Sequence, residues 1–122
     1  MKTKLNPHDF YAVFGDALRV SDRSEFISEY ALSSIWNDDP ADDIPPERLR
    51  QLGMIWDAAH ISIRDIRTTT GLSQVKFGEA FAIPLRTIQH WEGGTREVPP
   101  YTRLLLANAV GIIDLNEIRE IK

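Results

Sequence analysis

Helix caps and helix breakers follow one another closely in the second half of this 122-residue chain, and they limit how long any helix there can be. Ser62 and Ser73 are of the residue type that caps a helix N-terminus, and Gly71 can take the left-handed conformation that ends a helix. Gly93-Gly94 and Pro99-Pro100 interrupt the chain again. The spacing predicts short helices over 63–70, 74–81, 84–91, 101–110 and 115–121.

The first half of the chain is also predicted to be helical. In the segment 21–36, apolar residues recur at three- and four-residue spacing, which is one face of a helix. Asp22 followed by Glu25 is a capping-box pattern, and Pro46 suits a first helical position. The helix after Pro46 would carry an apolar stripe at Leu49, Leu52, Ile55, Trp56 and Ala59. Because no strand-like alternation persists anywhere, we expect an all-α fold.

Charge is distributed unevenly along the chain. Residues 1–59 hold 6 Lys and Arg against 11 Asp and Glu, whereas residues 60–122 hold 8 against 7, so the net charge of −4 is an N-terminal property. The segment from Asn37 to Pro46 is rich in turn formers and acidic residues, which is typical of a linker. We therefore expect a helical N-terminal extension with an acidic linker over 1–45 and a second domain over 46–122.

Several functional classes find no support in the residue types. Without cysteine the chain has no disulfide, cysteine-ligated metal site or thiol catalysis. The apolar stretch 104–113 is too short to span a bilayer, and we expect a cytoplasmic protein with no membrane partner. His8, His60 and His90 lack ligand spacing, and no nucleophile elbow, phosphate loop or paired acid–base motif is present. We expect no metal, no cofactor and no enzymatic activity.

The segment 73–93 contains the clearest functional pattern. Two predicted helices of about two turns are separated by three or four residues, which is helix-turn-helix spacing. Gly78 would let the second helix cross closely over the first. The residues expected to pack inward are Val75, Phe77, Phe81, Ile83, Ile88 and Trp91. The outward side near the start of the second helix would then carry Leu85, Arg86, Gln89 and His90, whose polar members could donate to base edges in a major groove.

Residues 61–112 resemble the Cro/CI-type phage-repressor family, also called the xenobiotic-response-element (XRE) family. The matching features are Leu72-Ser73-Gln74, Phe77 followed by a small residue, Thr87-Ile88, Trp91-Glu92-x-Gly94, Arg96 and Pro99. The resemblance implies a lambda-repressor-like five-helix bundle with a helix-turn-helix motif. It also implies a sequence-specific transcriptional regulator, expected to be a repressor, that binds double-stranded DNA as a homodimer. The recognition helix, at about 84–92, would read an inverted-repeat operator.

The resemblance also implies roles for individual residues. The family's base-reading positions correspond to Leu85, Arg86 and His90, with Gln89 beside them. Phosphate contacts are common in the family at the positions of Gln74, Lys76, Thr95 and Arg96, and the N-termini of both motif helices would offer free N–H groups to phosphate.

Two residues depart from the family pattern. Ala82 lies where the family often has Gly, and a left-handed turn there would cost about 1 kcal/mol or more. Pro84 lies where Ser or Thr often caps the recognition helix, and it provides no capping oxygen. These departures bear on the geometry of the turn, not on the presence of the motif.

Residues around the motif are expected to have structural roles. We expect Trp91 to pack in the core and Glu92 to anchor the end of its helix rather than act as a catalytic carboxylate. Arg64 and Arg67 are expected to form a solvated helix face.

The acidic, aromatic N-terminal half supports a second hypothesis, in which the protein is a protein-binding module. It would be antitoxin-like, with a toxin-like partner bound through this half, or an adaptor whose helix-turn-helix does not read DNA. The aromatic residues would pack the N-terminal helices or form a dimer interface, where aromatic residues are enriched. They are Phe10, Tyr11, Phe14, Tyr30, Trp36 and Trp56.

Overall fold

The computed structural model describes residues 4–121, and it is built from α-helices. Across these residues the only extended pairing is an isolated bridge between Leu5 and Arg119. The prediction of an all-α fold is therefore confirmed. Of the helices in the described part of the chain, none is both long enough and apolar enough to cross a membrane.

The helix boundaries lie close to those predicted from caps and breakers. The helices are α1 (Pro7–Arg19), α2 (Arg23–Ala31), α3 (Pro46–His60), α4 (Ile63–Thr70), α5 (Gln74–Phe81), α6 (Leu85–Glu92), α7 (Pro100–Ala109) and α8 (Leu115–Ile118). Between α2 and α3, Ser34–Trp36 form a short 3-10 helix, so the single helix expected over 21–36 is divided in two.

The chain forms two compact units. Unit 1 comprises the residues up to His60 together with those from Ile113 onward, and unit 2 is Ile61–Ile112. This division differs from the expected boundary at 45/46, because α3 packs against α1 and α2 within unit 1. Unit 2 covers the same residues as the family resemblance.

Unit 1 is built around the apolar face of α3. Leu52 and Ile55 are fully buried there, as are Phe26 and Trp36, whereas Leu49 on the predicted stripe is exposed. The indole nitrogens of two tryptophans are satisfied by backbone oxygens: Trp36 Nε1 donates to Tyr30 O and Trp56 Nε1 donates to Val20 O, each at 2.8 Å. Of the remaining aromatic residues considered above, Phe10 is buried and Tyr11 is exposed.

Asp38 is held by a buried arginine and is not simply part of a solvated linker. The Arg48 side chain is only 2% exposed and forms a bidentate ion pair with Asp38, with 2.8 Å between Nη2 and Oδ1. Arg48 also donates to Ala31 O at 3.1 Å and lies 4.5 Å above the ring of Trp36. The Arg48 guanidinium holds the pKa of the Asp38 carboxyl below its usual value. The linker prediction did not include this anchor.

Helix α8 belongs to unit 1, although it was expected to be the fifth helix of the second bundle and to run through Ile121. It ends at Ile118, because the chain becomes extended at Arg119 and its backbone pairs with Leu5 instead of continuing the helix. Leu5 N donates to Ile118 O and Glu120 N donates to Leu5 O, both at 2.8 Å. Unit 2 therefore contains four helices, α4 to α7.

Candidate nucleic-acid interface

In unit 2, α5 and α6 are eight-residue helices joined by a three-residue turn. Ser73 caps α5 as predicted, accepting a hydrogen bond from Lys76 N at 3.2 Å. Gly78 faces the turn so closely that an added Cβ would lie 2.6 Å from Ile83 O and 3.1 Å from Ile88 Cδ1. The expectation that Gly78 permits a close crossing of the two helices is therefore confirmed.

The turn contains both departures from the family pattern. Ala82 adopts the left-handed conformation, with φ 54° and ψ 42°, which an alanine takes only at an energetic cost. Pro84 lies one residue before α6 rather than in its first turn, and it supplies no side-chain cap. The helix pair therefore keeps its turn without the residue types that usually favour it.

Burial within the pair separates an inner face from an outer one. Phe77 and Ile88 are fully buried, and Phe81, Ile83 and Trp91 are partly buried. Val75, which was expected to pack inward, is 49% exposed. The expectation for Val75 was wrong because it lies two residues from Phe77, which is about 200° around a helix.

The four predicted base-contacting residues share the outer face of α6. Leu85, Arg86 and Gln89 are exposed and His90 is partly exposed. Together they line one open concavity of about 580 Å³. The face combines an apolar side chain, a guanidinium, an amide and an imidazole, so it can offer hydrogen-bond donors, acceptors and an apolar contact to one ligand.

Three cations of unit 2 are exposed and carry no internal counter-charge. Within residues 4–121, Lys76, Arg86 and Arg96 form no salt bridge. Lys76 lies in the first turn of α5, and Arg96 follows α6 beside the exposed Thr95. The backbone N–H groups of Thr95 and Arg96 both donate to His90 O, at 3.0 and 3.3 Å, which fixes this segment at the end of α6.

The end of α6 is anchored by Glu92, whose side chain is only 1% exposed. Arg67 binds the carboxylate with both arms, at 2.8 Å from Nε to Oε2 and 2.9 Å from Nη2 to Oε1. Arg64 Nε lies 3.4 Å from Oε1. The structural role expected for Glu92 is confirmed, whereas the solvated face expected for Arg67 was wrong, because the two residues form a largely buried ion pair.

The Gln74 side chain also lies beside this carboxylate and lowers its pKa. Arg67 contributes most to lowering the pKa of the Glu92 carboxyl, burial opposes this, and Gln74 and Arg64 lower it further. Glu92 therefore connects α6 to the first residue of α5 and to α4. Gln74, a predicted phosphate contact, is partly buried. The sequence shows the three residue types at Arg67, Gln74 and Glu92, but their spacing matches no local pattern, so sequence reasoning did not predict that they would cluster.

The two units differ in net charge. Unit 2 contains six Lys and Arg against four Asp and Glu, a formal charge of +2, whereas the rest of the chain contains eight against fourteen, a charge of −6. Lys76, Arg86 and Arg96 therefore lie on the unit of positive net charge, which also carries the outer face of α6. Over the described residues, His, Asp and Glu side chains do not gather into any group of three that could hold a metal.

Comparison with known proteins gives no relative for this chain. No protein-family model, curated protein sequence or solved structure matches it. The resemblance to the phage-repressor family therefore depends on the residues of unit 2 themselves.

Proposed function

We propose that the protein is a sequence-specific DNA-binding transcriptional regulator, a repressor that reads double-stranded DNA through α6. One observation carries the proposal: Leu85, Arg86, Gln89 and His90 lie together on the outer face of a helix that follows a three-residue turn. Arginine and glutamine are side chains that can bind base edges with two hydrogen bonds. On this proposal the unit has a lambda-repressor-like helix-turn-helix fold, and the protein acts in the cytoplasm.

The dimensions and charges of unit 2 suit a major groove. An α-helix with its side chains is about 10–12 Å in diameter, and the major groove is about 12 Å wide, so α6 can lie within it. Lys76 and Arg96, which have no internal ion pair in the described residues, would contact phosphates beside the groove. Gln74, beside Glu92, and Thr95 would add neutral phosphate contacts. Phosphate contacts of this kind set the register of a protein on the duplex.

We also propose that the protein binds as a homodimer on an inverted-repeat operator. Two-fold pairing would place the two copies of α6 about 34 Å apart, one turn of the duplex. Tyr101 and Leu105 support self-association, because these large apolar side chains are exposed one turn apart on α7. Sedimentation analysis across concentration tests this part of the proposal, and a monomer at all concentrations would contradict it.

A mobility-shift titration at fixed salt tests the function. The probe is the sequence enriched by the full-length protein from random DNA. Arg86→Ala is expected to weaken binding, whereas Arg23→Ala, which removes the same charge from an exposed ion pair of unit 1, should bind nearly as well as wild type. Equal binding by wild type and Arg86→Ala would remove Arg86 from the interface, and no enrichment at all by wild type would contradict the proposal.

One observation in unit 1 favours the second candidate function, a protein-binding module with an antitoxin-like role. Leu32 is 76% exposed and lines a concavity of about 410 Å³ with Ile44 and with Asp38, Asp39 and Asp42. An apolar patch with acidic neighbours suits a basic partner protein. Co-purification with the product of the adjacent gene tests this candidate. Capture by wild type that Leu32→Ser abolishes would support it, and equal capture by both proteins would contradict it.

A further inference from the structure

The outer face of α6 consists of two rows of side chains. At about 100° per residue, Leu85 and Gln89 fall on one row, and Arg86 and His90 fall on a second row beside it. Arg86 and Gln89 are about 4.5 Å apart along the helix axis, whereas successive base pairs are about 3.4 Å apart. These two side chains would therefore meet base pairs no more than two steps apart.

Each side chain in these rows matches a different base. The Arg86 guanidinium is exposed and forms no salt bridge within the described residues, so both its donors can reach O6 and N7 of guanine. The exposed Gln89 amide can donate to N7 of adenine and accept from its N6 amino group. Leu85 offers only an apolar contact, and the 5-methyl group of thymine is the one apolar group on the major-groove edges.

We propose, on the basis of the DNA-binding function above, that each half-site contains a guanine read by Arg86. Within two base pairs of it lie an adenine read by Gln89 and a thymine whose methyl group packs against Leu85. The helix pair supports this reading, because Gly78 and Glu92 fix where the two rows are presented. Pre-organised side chains lose less conformational freedom on binding, and base preferences are then sharper.

Selection from random DNA at one salt concentration gives the first test, with wild type and four full-length variants. Arg86→Ala and Arg86→Lys should lose the guanine preference, and the lysine variant should keep more of the affinity, because it retains the charge without the bidentate fork. Gln89→Ala should lose the adenine, and Leu85→Ala the thymine. For wild type, replacing the guanine or the adenine should weaken binding about 5- to 150-fold.

Modified bases give the second test, because each removes one group that a single side chain is proposed to contact: N7 in the two 7-deazapurines and the methyl group in deoxyuridine. In the enriched half-site, 7-deazaguanine should weaken wild type but not Arg86→Ala, and 7-deazaadenine should weaken wild type but not Gln89→Ala. Deoxyuridine, which lacks the thymine methyl group, should weaken wild type about fourfold and leave Leu85→Ala unchanged. Identical thermal melting of all variants checks that these exposed side chains are not needed for folding.

The outcomes separate this inference from the function on which it rests. An enriched site that lacks the guanine, or one that Arg86→Ala selects unchanged, overturns the base assignment and leaves the DNA-binding function standing. Modified bases that weaken wild type and variant equally overturn it as well. If no sequence is enriched by wild type, the DNA-binding function and the base assignment fail together.

Discussion

The two units use their cationic side chains in different ways. In unit 1, four arginines are paired with carboxylates: Arg19 with Asp16, Arg23 with Asp57, Arg48 with Asp38, and Arg50 with Glu47 and Glu117. In unit 2, Lys76, Arg86 and Arg96 have no such partner within residues 4–121. Lys4 and Arg119 of unit 1 likewise form no salt bridge within these residues, and Arg119 lies over the ring of Phe10 instead. Most cations of unit 1 in this range nevertheless contribute to its fold, whereas Lys76, Arg86 and Arg96 leave unit 2 with donors available to an anionic ligand. The net charge of −4 conceals this difference.

Glu92 is the exception in unit 2, and removing it should have the largest effect on stability. Glu92→Ala would leave Arg67 partly buried without its carboxylate, and breaking such a pair costs about 3 kcal/mol. Glu79→Ala is the matched control, because Glu79 is an exposed carboxylate on α5. Denaturant unfolding measures both variants. A loss below about 0.5 kcal/mol for Glu92→Ala would mean that the cluster does not anchor α6.

The same carboxylate predicts a pH dependence with a definite sign. Because the folded-state pKa of Glu92 lies below its usual value of 4.5, its stabilisation is present in full above that value. The stabilisation is lost as the pH falls through the lowered pKa of the folded state. The free energy of unfolding, measured from neutral to acid pH, should therefore decrease less steeply in Glu92→Gln than in wild type. Parallel pH profiles for the two proteins would contradict the assigned cause of the shift.

Two helical glycines, one in each unit, should respond oppositely to alanine. Gly78→Ala places a Cβ 2.6 Å from a backbone oxygen, and the resulting overpacking should destabilise the protein by about 2 kcal/mol. Gly15→Ala in α1 meets only the far end of Arg19, at 3.9 Å, and should stabilise by about 0.5–1 kcal/mol through helix propensity. Thermal melts of the two variants check the signs. If Gly78→Ala melted at the same temperature as wild type, the two helices would be able to move apart without loss of stability.

Local patterns in the sequence predicted most of unit 2. Ser62, Ser73 and Gly71 set helix ends that the structure reproduces, since a cap or a left-handed turn depends on neighbouring residues alone. The outer face of α6 followed from helical periodicity and was also predicted. What could not be predicted depends on residues distant in the chain: the Arg67–Glu92 pair spans 25 positions, and Leu5 meets Ile118 across almost the whole sequence. A single sequence contains no periodic signal for such pairs.

The contrast between paired and unpaired cations predicts how DNA binding responds to salt. Arg96→Ala should reduce the slope of the logarithm of affinity against the logarithm of salt concentration by about 1, because one phosphate contact is lost. Arg23→Ala removes the same charge, but Arg23 is bound to Asp57 at 2.9 and 3.2 Å, so its slope should equal that of wild type. Titrations at several salt concentrations measure both. Equal slopes for all three proteins would remove the distinction between the units.

The smallest expected effects concern the two non-glycine residues with left-handed backbone in the described part of the chain, Ala82 in unit 2 and Asn37 in unit 1, both with φ 54°. The left-handed conformation costs alanine about 1–2 kcal/mol in the folded state. Replacement by glycine removes this cost but also stabilises the unfolded chain, because glycine has more conformational freedom there, so the net gain is smaller. Ala82→Gly should therefore stabilise the protein by about 0.5–1 kcal/mol. Asparagine tolerates the conformation, so Asn37→Gly should change stability by less than about 0.5 kcal/mol. If chemical denaturation gave equal gains at both sites, Ala82 would not be a point of strain in the turn before α6.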